Sequence, residues 1–145
     1  MNRKEILQVL PHRGAMLLVD DIIEIVPGQR VLGYKKVREN EFWSEGHFPG
    51  NPIFPGVLQI ELMAQTSLFL FCEAGGSAKI RPMLAKVDQM KLLQPVGIGD
   101  ELYVSVKTLA EGGGFLKAET AIYLDVGLTK AVARGKLTCY LEKEE

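Results

Sequence analysis

The chain has 145 residues, enough for one domain with a full core. Its 47% hydrophobic and 24% charged residues are ordinary for a globular protein. A formal net charge of −1 excludes a global basic field of the kind that draws nucleic acid or an anionic membrane.

Cys72 and Cys139 stand far apart and form no CxxC pair, which favours a reduced chain over a disulfide. The opening MNRKEILQVLP is too polar, and its apolar part too short, for a signal peptide. The longest apolar stretch, Val57 to Cys72, is broken by Gln59, Glu61, Gln65, Thr66 and Ser67, which does not suit a membrane span. A soluble cytoplasmic protein is expected.

Asn2 followed by Glu5 resembles a capping box and predicts a short helix to about Val9, stopped by Pro11. MLLVDDIIEIV (16–26) reads as a strand with Pro27-Gly28 as its turn. Arg30 to Val37 is the expected hairpin partner, with Val31, Gly33 and Lys35 on one face. A loop (44–56) rich in glycine and proline follows. After Gly56 about sixteen residues without Gly or Pro predict the one long helix, apolar all round and hence buried, ended by Gly75-Gly76. The rest reads as strands: 82–94, then ELYVSVKTL (101–109), the EGGG turn, LKAETAIYL (116–124), a DVGLTK turn and AVARGKLTCYL (131–141). Hairpin-linked strands with period-two alternation indicate an antiparallel sheet covered on one face. The predicted class is α+β: one domain over 1–145, a curved antiparallel sheet wrapped round a central buried helix. A single sheet of this kind leaves two edges, and pairing of two copies edge to edge would bury one from each, so a homodimer is expected.

Residues 46–65, GHFPGNPIFPGVLQIELMAQ, carry the chemistry. Pro49, Pro52 and Pro55 fix φ at three points and hold His47 in a loop that loses little entropy on folding. Pro55-Gly56 sits where the helix begins, so the Gly56 N–H is open to close approach and the helix dipole favours negative charge there. Glu61 lies in the next turn among apolar residues, with Gln65 one turn further along the same face. Burial of Glu61 should raise its pKa. A neutral base, a protonated acid and an oxyanion-binding helix end suit proton abstraction beside a carbonyl, with the acid helping a hydroxide to leave. The bland alternative has His47 satisfying loop carbonyls and Glu61 paired with a nearby cation.

HFPGNPIFPGVLQIELMAQ resembles the signature of the (3R)-hydroxyacyl-[acyl-carrier-protein] dehydratases of bacterial fatty acid synthesis, enzymes of the hotdog fold. LPHRGAMLLVD (10–20) and PVGIGD (95–100) resemble the same family's flanking segments. Three places depart from the usual pattern: Lys91, Leu92 and Gln94 for a basic–aromatic–basic set, Ile98 for a proline, and Gly14-Ala15 for a bulkier pair. The resemblance implies His47 as catalytic base and Glu61 as catalytic acid. It implies Gly56 as donor to the thioester carbonyl, with Val57 and Phe48 beside it in the substrate site, and Gln65 orienting the acid. It further implies acyl carrier protein as the partner delivering substrate on a pantetheine arm, and a site shared across a homodimer, with three dimers in a hexamer. No cofactor is expected, since the thioester itself acidifies C2. Alternatives on the same fold are an acyl thioesterase and a non-catalytic acyl-binding or assembly subunit.

The remaining features read blandly. His12 is taken as a structural hydrogen-bonding residue, GGG (112–114) as a hairpin turn without nucleotide-binding context, and the scattered His and Cys as no metal site. Lys35, Lys36 and Arg38 read as a solvated strand end, or else as a patch for an acidic partner.

Overall fold

The structure is a computed structural model that describes residues 1–71 and 80–143, with positions 80 and 143 by backbone alone. The expected helix end at Gly75-Gly76 and the environment of Cys72 lie outside the described residues. Helix α1 (Arg3–Val9) begins as its sequence predicts: the Asn2 side chain accepts from the Glu5 N–H at 2.9 Å, and Ile6 and Val9 turn inward.

Strand β1 (Asp21–Val26) is shorter than the predicted 16–26. Leu17, Leu18 and Val19 are buried in succession, which no alternating strand allows, and Gly14–Met16 form a 3₁₀ turn. The cause is Gln65. Its amide oxygen accepts from the Leu18 N–H (3.0 Å) and its amide nitrogen donates to the Met16 carbonyl (2.7 Å), so this backbone pairs with a helix side chain and not with a strand. Strand β2 (Arg30–Lys36) pairs antiparallel with β1 across the expected turn, and Val31, Gly33 and Lys35 do share the inner face.

Helix α2 (Gly56–Ser67) is 12 residues and passes into a 3₁₀ turn, Leu68–Phe71. The tightening has a local cause, because the Thr66 hydroxyl donates to the Leu62 carbonyl and the Ser67 hydroxyl to the Ala64 carbonyl. Strands β3 (Ile80–Leu92), β4 (Glu101–Gly112), β5 (Phe115–Tyr123) and β6 (Ala131–Lys143) follow. The turn joining β4 to β5 uses positive φ at both Gly113 (59°) and Gly114 (84°), the twist that matches a two-residue hairpin. On β6 the expected alternation slips: Val132 and Ala133 are both buried while Ala131 is not, at an irregularity in the pairing with β5.

All six strands form one antiparallel sheet in the order β1-β2-β4-β5-β6-β3. It curves round α2, whose Leu62 and Met63 are fully buried against Val104, Val106, Leu116 and Ile122 in one core. Gly33 permits this approach, since a Cβ there would lie 2.9 Å from Thr66 Cγ2. The α+β prediction therefore holds in class and in layout. Two features leave the monomer open. The first turn of α2 is uncovered, with Val57 73% exposed. And β3, at the sheet edge, has no fully buried side chain from Arg81 to Leu92, while Met83, Leu84, Val87 and Leu92 are 40–52% exposed.

Candidate active site

The loop before α2 is built to hold one imidazole. The Trp43 carbonyl accepts from the N–H groups of both Gly46 (3.2 Å) and His47 (3.0 Å). Phe48 and Asn51 exchange two backbone bonds around Pro49-Gly50, with Gly50 at φ 76°. The Ile53 N–H then returns to the His47 carbonyl at 2.7 Å, and the Phe54 N–H is fixed to the Val96 carbonyl. The His47–Phe48 peptide is cis, and the two rings stack at 4.2 Å. His47 Nδ1 lies 2.9 Å from the Ile53 carbonyl. A carbonyl only accepts, so Nδ1 carries a proton, and in the neutral ring the lone pair falls on Nε2. This is the tautomer a general base needs.

Pro55 turns the chain into α2, whose Leu58 and Gln59 N–H groups bond back to the Pro55 carbonyl. The N–H groups of Gly56 and Val57 have no acceptor among the described residues, as expected for the start of a helix. Leu92 from the end of β3 closes over Gly56 so tightly that an added Cβ would collide with its Cδ1. A side chain at position 56 would have to push aside the exposed end of Leu92, a contact its sequence context did not reveal.

Glu61 is half-buried on α2. Desolvation raises its pKa, and a hydrogen bond from the Gln65 side chain pulls the other way. No cation pairs with Glu61 in any of the ion pairs among the described residues, so the bland pairing alternative finds no partner there. Gln65 is occupied chiefly in anchoring residues 16–18, and only in part with the acid. The cavity at Glu61 is lined also by His12, Gln65, Leu68, Leu84 and Cys139, and His47 is not among its lining residues. Within one chain, then, His47 and Phe48 stack in the loop and Gly56 and Val57 open α2, while Glu61 and Gln65 line a cavity beside β3 that His47 does not line.

Two readings need correction. His12, read as a structural hydrogen-bonding residue, makes no hydrogen bond through its buried Nδ1 among the described residues, and burial, aided by Arg13, lowers its pKa; it lines the Glu61 cavity. Lys35 is not a solvated strand end: it is 3% exposed and ion-paired with Glu41 at 2.8 Å. The alternation of β2 signalled this, because Lys35 shares a face with buried Val31 and Gly33. Lys36 and Arg38 are exposed, Arg38 being paired with Asp20.

The FabA-like domain family matches residues 10–133. A 3-hydroxyacyl-[acyl-carrier-protein] dehydratase FabZ of Bordetella petrii is 38% identical over 98% of this chain and 96% of its own length. The enzyme of the same name from Geobacter metallireducens is 39% identical over 95% of this chain and 87% of its own. Among solved structures, the dehydratase heterocomplex ApeI:P from Xenorhabdus doucetiae superposes with a TM-score of 0.76 at 20% identity, covering 96% of this chain and 91% of that one. A hypothetical thioesterase with coenzyme A from Streptococcus pneumoniae superposes at 0.61 and 16% identity, covering 86% of this chain and 87% of that one. At such identities the two structures speak for the fold alone. Fold and relatives together define a hydro-lyase of the hotdog fold. The chain belongs to the FabA-like family, among its FabZ-type dehydratases.

Proposed function

We propose that this protein, acting as one catalytic domain over residues 1–145 in the cytoplasm, dehydrates (3R)-3-hydroxyacyl thioesters held on acyl carrier protein. The product is the trans-2-enoyl thioester, in fatty acid or related acyl-chain biosynthesis. The observation that carries this reading is the 2.9 Å contact of His47 Nδ1 with the Ile53 carbonyl, which in the neutral ring leaves Nε2 as the base. His47 Nε2 takes a proton from C2, and the electron pair moves towards the thioester oxygen, which the Gly56 N–H stabilises. The pair then forms the C2–C3 double bond as the C3–O bond breaks, and protonated Glu61 gives its proton to the departing oxygen, releasing water. The raised pKa of Glu61 supports its role as the acid. Phe48, stacked on His47, and Val57, in the first turn of α2, are exposed and would meet the thioester.

We further infer a homodimer whose site takes His47 from one chain and Glu61 from the other. The unburied apolar β3 edge, the open first turn of α2 and the separation of His47 from the Glu61 cavity support it. A trimer of such dimers rests on the family resemblance alone. Purified protein with crotonyl and 3-hydroxybutyryl thioesters, on carrier protein and on coenzyme A, tests the activity. Reversible change in enoyl absorbance is the expected result. Release of free thiol would indicate a thioesterase, and neither signal an acyl-binding subunit.

A further inference from the structure

An ion pair between buried Lys35 and partly buried Glu41 has no role in the chemistry just described. Lys35 Nζ, at the inner end of β2, lies 2.8 Å from Glu41 Oε1 and 5.6 Å from the centre of the Phe54 ring. The Glu41 carboxylate is met by donors only. Lys35 and the Trp43 Nε1–H (3.3 Å) address Oε1, and the Arg38 N–H (2.6 Å) addresses Oε2. The Glu41 carbonyl in turn accepts from the Ser44 N–H and hydroxyl. Burying one charge and partly burying its partner costs desolvation that their attraction does not reliably recover, so stability alone is a poor reason for such a pair. What it does fix is geometry. Trp43, held at its indole by Glu41, packs edge-on against Phe54 at 5.3 Å and 62°. Its carbonyl receives the His47 N–H. Phe54, under the Lys35 ammonium, follows Ile53, whose carbonyl receives the His47 Nδ1–H. Both supports of the imidazole therefore run back to the one ion pair.

We propose that Lys35 and Glu41 are positioning residues for His47, a strut that sets the imidazole in register with the acyl substrate. The proposal rests on His47 being the base. Glu41→Gln is the direct test in the whole, assembled protein, because an amide turned either way sets an NH₂ group against a donor. The expected result is a fall in kcat of about 10- to 100-fold with KM within about twofold of wild type, the size of loss that a small displacement of a catalytic group produces. The hydrogen-bonded Nδ1 proton of His47, followed by NMR, should broaden or vanish in the same variant. Lys35→Met should behave alike, and the double variant no worse than the more severe single one, since both break one strut. If loss of a charged partner prevents folding, Trp43→Phe keeps an aromatic ring beside Phe54 while removing the indole donor together with part of the ring, and should still lower kcat and disturb the Nδ1 proton. A lower melting temperature with unchanged kcat and an unchanged Nδ1 resonance would overturn the proposal. His47→Ala in the same assay separates the two possible failures. Retained activity there removes the base assignment, whereas an inactive His47→Ala beside a fully active Glu41→Gln removes the strut alone.

Discussion

His47→Ala should lower turnover of a 3-hydroxyacyl thioester by roughly 10²- to 10⁴-fold, the usual loss when a general base is deleted. The fold should survive. The bonds that shape the loop, from His47 to Trp43, from Ile53 to His47 and from Phe54 to Val96, are all made by backbone and persist in the variant. What disappears is the Nδ1 bond to the Ile53 carbonyl, a loss of about 1 kcal/mol for a neutral hydrogen bond, and the stacking of the imidazole on Phe48. Steady-state kinetics and a melting curve on the same sample check both halves. Activity within tenfold of wild type would remove His47 from the role of base.

Glu61→Gln should keep the fold and lose activity by roughly 10²-fold, because an amide cannot deliver a proton to the leaving oxygen. Desolvation raises the Glu61 pKa above its ordinary value of 4.5, which extends the acid form upward in pH. Turnover that depends on the acid form is therefore lost as pH rises through the folded-state value, and this alkaline limb should be absent from the residual activity of the Gln variant. The stability linkage has a definite sign as well. A raised folded-state pKa contributes stability that is fully present below the unfolded value and lost as pH rises through the folded one. The substituted amide has no ionisation to undergo, so the variant should gain stability over wild type in the upper part of that range. Denaturant titrations at several pH values measure this. Unchanged stability at every pH, with an alkaline limb retained in Glu61→Gln, would contradict the assignment.

The sheet is readable from the sequence because its strands alternate strictly. Leu102, Val104 and Val106 turn inward on β4 as their spacing demands, and the two glycines at 113 and 114 supply the hairpin angles. Expectation and structure part where a side chain takes over the work of a backbone ladder. Gln65 captures the backbone of residues 16–18, and nothing local to MLLVD signals a partner lying 47 positions away. Thr66 and Ser67 shorten α2 by bonding to its own carbonyls. The site is legible in its parts, because proline, glycine and a helix start leave their marks within a few residues. Its supports are not: Lys35 looks solvated beside Lys36 and Arg38, although its strand face places it inside. The Leu92 contact over Gly56 joins residues distant in sequence, and an isolated chain gives no periodic signal for it.

At the centre of the proposed chemistry, His47 and Glu61 serve one dehydration site from two chains. His47→Ala chains and Glu61→Ala chains, each inactive alone, can be mixed and allowed to exchange subunits, with exchange followed by mass spectrometry of tagged chains. In a two-fold dimer every hybrid has one site lacking both groups and one site with both intact. Random pairing makes about half the dimers hybrid, so the mixture should recover roughly a quarter of wild-type activity. Full subunit exchange with no recovered activity would mean that each site draws both groups from a single chain, and would contradict the shared site.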